Sequence, residues 1–156
     1  MKLFLITVGK LRKGPEADLI KDYLTRFDRI GRNMGLGPAS VIEVEDKKGG
    51  GKAAEAALLA KALPENATLV VLDERGKLLT SPDFANKIAG WRDQGQPNLA
   101  FMIGGADGLD ASLLNRADLK LSFGKMVWPH MLARVMLTEQ LYRAASILSG
   151  APYHRV

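Results

Sequence analysis

Cysteine is absent from this chain of 156 residues, and histidine occurs only twice. The first absence excludes a disulfide framework and any thiolate metal site, and two histidines are too few for a histidine zinc cluster, so no metal is expected. A cytosolic, cytoplasmic setting is the default expectation for a chain without disulfides. Long apolar runs are missing too. Residues 1–8 form a short apolar stretch well under the roughly 18 residues a membrane span needs, with no cleavage-site pattern, so they read as a buried strand and no membrane is expected. Aromatic residues make up only 6% of the chain, which makes the placement of each ring informative.

The chain does have the material for a core. With 47% hydrophobic and 25% charged residues, it reads as one globular domain over residues 1–156. A net charge of +5 favours an anionic partner, and nucleic acid is the commonest for a small basic protein. Apolar runs alternate with amphipathic stretches, which predicts an α/β fold on a largely parallel sheet of five to six strands. The runs richest in branched residues place strands near 3–8, 40–45, 68–72, 99–103 and 119–123. Ile20, Tyr23, Leu24 and Phe27 recur at helical spacing, and residues 53–63 form an alanine-rich helix stopped by Pro64. Ser81-Pro82-Asp83 opens a third helix with a serine cap, closed near Gly95, and Asp110 caps a short helix toward Arg116. A last helix over residues 131–148 carries an apolar face broad enough either to face the core alone or to meet a second copy of the chain.

Three glycine-bearing segments invite a binding reading. Lys47-Lys48-Gly49-Gly50-Gly51-Lys52 fails the Walker pattern, because Asp46 stands where its first glycine belongs and Ala53 where its serine or threonine belongs. It is either a basic loop that meets an RNA backbone or a solvated loop. Gly35-Leu36-Gly37 lacks the third glycine of a dinucleotide fingerprint and reads as a turn. Gly104-Gly105-Ala106-Asp107-Gly108 ends a predicted strand, where open α/β sheets bind ligands; adjacent glycines let a ligand approach backbone amides, and a tight turn before Asp110 is the alternative. Gly124-Lys125-Met126-Val127-Trp128-Pro129 ends the next strand and faces the same edge. A pocket between two such loops suits a planar heterocycle with a polar tail. His130 reads as a helix-start residue, and Glu139 with Arg143 as a helix-surface ion pair. Tyr153-His154-Arg155 puts a ring, a base and a phosphate-binding fork in consecutive positions.

Gly104-Gly105-x-x-Gly108-Leu109, Trp128-Pro129-His130-Met131-Leu132-x-Arg134-Val135, Thr138-Glu139-Gln140-Leu141-Tyr142-Arg143-Ala144 and Pro152-Tyr153-His154-Arg155 resemble the RlmH-type ribosomal RNA methyltransferases of the SPOUT class. The resemblance extends through residues 2–9 and 69–73 and so covers essentially the whole chain. It implies a deep trefoil knot in the C-terminal part, which general topology rules do not predict. It also implies a homodimer that uses S-adenosylmethionine to methylate N3 of a pseudouridine in the intersubunit-bridge hairpin of large-subunit rRNA, on the ribosome. Carried over by motif, the cofactor site comprises Leu72, Gly105, Gly124, Lys125, Met126, Val127, Trp128 and Pro129. Val127 stands where threonine is expected in many relatives, which removes one hydroxyl.

The chemistry of an imide acceptor assigns catalytic parts to the tail. His154 is expected to act as base or to orient the imide, Arg155 to bind phosphate or developing negative charge, and Tyr153 to stack on the base. Two rival readings stand beside it: a ribosome-associated RNA-binding protein without catalysis, motivated by the basic charge and the glycine-lysine loop, and a nucleotide-dependent metabolic α/β enzyme.

Overall fold

The structure is a computed structural model describing residues 1–155; Val156 lies outside the described residues. The alternating pattern resolves into β1 (Lys2–Val8), α1 (Pro15–Gly31), β2 (Ala39–Val44), α2 (Gly51–Ala62), β3 (Ala67–Leu78), α3 (Ser81–Asp93), β4 (Asn98–Ile103), α4 (Ala111–Arg116), β5 (Leu119–Ser122) and α5 (His130–Ser149). The five strands form one sheet in the order β2-β1-β4-β3-β5, and every pairing is parallel. Five strands is the lower of the two expected counts.

Both faces of the sheet are covered, which is why its central strands read as unbroken apolar runs. On β4, Leu99, Phe101 and Ile103 join a core with Phe27 of α1, Phe84 and Ile88 of α3, and Leu137 and Leu141 of α5. Ala100 and Met102 point the other way, into a second core with Ala56 and Leu59 of α2 and Leu113 of α4. Burying one such side chain stabilises the fold by roughly 1.5–3 kcal/mol before cavity effects.

Two expectations need correction. β3 continues to Leu78 rather than stopping at Leu72, because the charged run after Leu72 is carried past a register shift to pair Lys77 with Leu121 and Leu78 with Ser122. Charge at positions 73–75 and 77 hides that extension from a reading based on apolar runs. The cap of α3 is Thr80, one residue before the expected serine: its hydroxyl accepts from the Asp83 N–H at 3.1 Å, while Ser81 Oγ donates to Gln140 at 2.7 Å. The Asp110 cap is as expected, accepting from the Ser112 N–H at 3.0 Å.

Arg134 fastens α5 to the sheet. Its guanidinium is buried and donates to Glu43 Oε2 at 3.1 Å and to the carbonyls of Val8 and Gly9, at the carboxyl ends of β1 and β2. Burial lowers its pKa from the ordinary value, and Glu43 opposes that shift. Arg134→Met removes these donors and leaves two carbonyls and a carboxylate without them. We expect a cost of about 2–3 kcal/mol, read as a lower urea midpoint at unchanged slope.

Candidate functional site

Two loops at the carboxyl edge of the sheet frame a cavity of about 360 Å³, inside the size range of small-molecule sites. The first leaves β4 at Gly104. A Cβ there would lie 2.7 Å from the Gly108 carbonyl carbon, so only glycine lets the loop fold back on itself. The Gly108 N–H then donates to the Gly105 carbonyl at 3.0 Å, and Asp110 starts α4. The second loop leaves β5 at Ser122. Its Oγ accepts from the Gly124 N–H at 3.1 Å and stands 3.0 Å from the Glu74 carbonyl, which binds the loop to β3. Gly124 has φ +119, a conformation that L side chains rarely adopt.

Leu72, Gly105, Gly124, Met126, Val127 and Trp128 all line this cavity, whereas Lys125 and Pro129 belong to the same loop without lining it. Val127 is 81% exposed, so a missing hydroxyl there changes the mouth of the cavity rather than its interior. Lys52, Asp73 and His130 also line it without having been assigned to the cofactor site from sequence, as does Asp107 of the first glycine loop. Asp73 directly follows Leu72 at the sheet edge, where ligands bind in α/β folds, and that position was the available signal. Lys52 was hidden because α2 begins at Gly51, two residues before the expected start, which puts this lysine in the first helical turn. Asp46 holds the preceding basic loop by accepting from the N–H groups of Lys48 at 3.2 Å and Gly50 at 2.6 Å.

The tail stands elsewhere. Tyr153 OH donates to Glu139 Oε1 at 3.0 Å, and its ring packs on Tyr142 (centroids 4.5 Å apart) with the Arg143 guanidinium 4.8 Å from its centroid. Arg143 donates to Glu139 Oε1 through Nε at 3.0 Å and Nη2 at 2.6 Å, so the expected i,i+4 pair is present. His154 Nδ1 lies 3.2 Å from Arg143 Nη1, and Arg155 is exposed. From His130 at the cavity to Glu139 is nine residues of α5, about 14 Å at the helical rise. Tyr153, His154 and Arg155 are not among the residues lining the cavity.

A family model described as a predicted SPOUT methyltransferase matches residues 1–154. The chain belongs to the SPOUT methyltransferase family. Among its relatives, "Ribosomal RNA large subunit methyltransferase H" of Dinoroseobacter shibae is 69% identical over 156 residues, covering 100% of both chains. The protein of that name from Ruegeria pomeroyi is 67% identical over the same length, again covering 100% of both. A solved structure, of a probable methylase family protein from Haemophilus influenzae Rd KW20, is 13% identical at a TM-score of 0.51, covering 99% of this chain and 70% of that one. It shows the fold alone.

Electrostatics of this SPOUT chain separate the two parts of the site. At the start of α4, just past the first loop, Ser112 and then Lys52 hold the Asp110 carboxyl below its ordinary pKa. At the tail, burial first and Glu139 second push the Tyr153 phenol up to about 12. Among the described residues, no group of three or more His, Asp or Glu is placed to hold a metal ion, and no helix is long and apolar enough to cross a membrane.

A raised phenol pKa means that the folded state binds this proton more tightly than the unfolded state does. The stabilisation is therefore complete below the ordinary tyrosine value near 10 and is lost as pH rises toward about 12. In a spectrophotometric titration, Tyr153→Phe should remove a phenol transition delayed beyond the ordinary tyrosine value. A wild-type titration with no such delayed transition contradicts this placement.

Proposed function

We propose that this chain transfers a methyl group from S-adenosylmethionine to large-subunit ribosomal RNA, at N3 of a pseudouridine in the intersubunit-bridge hairpin, on the cytoplasmic ribosome. The observation that carries this reading is the cavity between the Gly104–Gly108 and Gly124–His130 loops, in a chain that matches its rRNA methyltransferase relatives over their full length. The cavity's residues fit the cofactor. Leu72, Leu109 and Val127 offer apolar contact, the glycine loops offer backbone groups, and the Asp73 carboxylate offers an acceptor for hydroxyls or an ammonium. A Cβ on Gly105 would come within 2.9 Å of Glu55 Oε2, the end of a flexible side chain that can move aside, so the fold tolerates a side chain at this point of the loop. Bound in the cavity, S-adenosylmethionine supplies an electrophilic methyl on a sulfonium.

The chain's own part is to hold, orient and exclude water. N3 must lose its proton as its bond to the methyl carbon forms, so groups that stabilise imide charge accelerate the step. His154 and Arg155 are the tail groups suited to that work, as imide-orienting or proton-handling ring and as anion-binding fork. Tyr153 is engaged by Tyr142, Arg143 and Glu139, so its part here is to anchor the tail; stacking on a base requires it to leave that dock.

A homodimer reconciles the separated cavity and tail, because a second copy can bring its docked tail to the cavity of the first. Exposed Met126, Val127 and Trp128 at the cavity, with exposed Leu132 in the first turn of α5, support such a contact. The trefoil knot belongs to the same reading and rests on the family.

Methyl transfer from labelled cofactor to ribosomes lacking the modification, with the product nucleotide identified by mass, tests the whole reading. Transfer to N3 of pseudouridine is expected; saturable RNA binding without cofactor uptake supports the non-catalytic rival. Gly105→Val should weaken cofactor binding by on the order of 10²-fold in calorimetry while the fold persists, and normal affinity in a folded variant removes this loop from the site. Lys47→Ala with Lys48→Ala should weaken ribosome binding and lower the salt slope by about 1 for each phosphate no longer neutralised. An unchanged slope makes the loop a solvated one.

A further inference from the structure

Glu139 and Arg143 do more than an exposed helix pair. Their side chains are only 18% and 25% exposed, and Glu139 Oε1 accepts from Tyr153 OH and from two nitrogens of Arg143. Glu139 Oε2 accepts from Gln140 Nε2 at 3.0 Å, and Gln140 Oε1 accepts from Ser81 Oγ at 2.7 Å, which braces the carboxylate against the start of α3. Arg143, so oriented, points Nη1 at His154 Nδ1 from 3.2 Å.

A guanidinium has donors only. At that contact Nδ1 must therefore accept, so it carries no proton, and the neutral ring keeps its proton on Nε2. An imidazolium would set N–H against N–H. We propose that Glu139 and Arg143 are positioning residues that hold the tail at two points and select the Nε2–H tautomer of His154, so that His154 donates a hydrogen bond to an imide carbonyl oxygen of the RNA base instead of taking the N3 proton.

The proposal rests on the methyl-transfer reading and names how the tail serves it. The N3–H proton passes to water, N3 bonds to the methyl carbon as the carbon–sulfur bond breaks, and the bonding pair stays on sulfur. Donation from Nε2–H stabilises the negative charge that the imide oxygens acquire as the proton leaves. Arg155, exposed next to it, remains free for phosphate.

Nitrogen-15 spectra of the wild-type protein read the tautomer directly, with His154→Gln assigning the signal between the two histidines. The Nε2–H form is expected, and Arg143→Ala should mix the forms. A neutral Nδ1–H form or an imidazolium in the wild type at neutral pH overturns the proposal without touching the methyltransferase assignment. Kinetics on unmodified ribosomes supply the second arm. The glutamine amide places an N–H near the Nε2 position, so His154→Gln should stay within about 10-fold of wild-type kcat, whereas His154→Ala should lose on the order of 10²-fold. Equal loss in both restores the base role and overturns the proposal. Arg143→Lys and Glu139→Gln should lower kcat by on the order of 10-fold with cofactor affinity unchanged. A loss confined to KM places the contact on phosphate rather than the imide and overturns it too. A wild-type protein that transfers no methyl group overturns the proposed function and the donor role together.

Discussion

The guanidinium of Arg134 is buried between α5 and the carboxyl ends of β1 and β2, and α5 carries residues of both the cavity and the tail dock. His130 at the start of the helix lines the cavity, while Glu139 and Arg143 farther along hold the tail. A 20-residue helix held near its first third by charge-assisted hydrogen bonds cannot slide or rotate on the sheet without breaking them. The distance between cavity and tail is thus set by a rigid element. The burial that this clamp requires is compensated by Glu43, whose Oε2 also accepts from the Leu11 N–H at 2.6 Å, so the loop after β1 is drawn into the same network.

The cavity and the tail obey different physics. At the cavity, packed glycine backbone and apolar side chains leave the ligand mostly shape and main-chain polarity to meet, which suits a cofactor that brings its own reactive group. At the tail, a half-buried carboxylate organises an arginine, a phenol and an imidazole in series. Low local dielectric strengthens each contact and makes any unpaired member costly, so the tail is held in one arrangement rather than frayed. A chain terminus bound in this way can be presented to an RNA surface with its donors already oriented.

Much of the scaffold was legible because parallel strands covered on both faces must be continuously apolar, and helices that cover them must be amphipathic. β1 and β4 follow that rule closely. β3 departs from it where Asp73, Glu74, Arg75 and Lys77 continue a strand beyond the core, held by backbone pairing to β5 that leaves no hydrophobic trace. The α3 cap shows the same limit on a smaller scale. Thr80 and Ser81 are both competent caps, and the choice fell to Thr80 with Ser81 hydrogen-bonded to Gln140, 59 positions away in sequence.

The sequence by itself determined the parallel α/β class, the two glycine loops that end strands at one sheet edge, and the polar tail, since each depends on local periodicity or on residue type at a turn. Family membership was legible too, through motifs spread over the whole chain. Only the tertiary structure decided that Asp73 and Lys52 share the cavity, that Arg134 is a structural clamp, and that Glu139 and Arg143 bind Tyr153 and His154 instead of lying idle on a helix surface. Side-chain partners across packed elements depend on how the helices dock, and hydrogen-bond geometry between them carries no periodic signal along the chain.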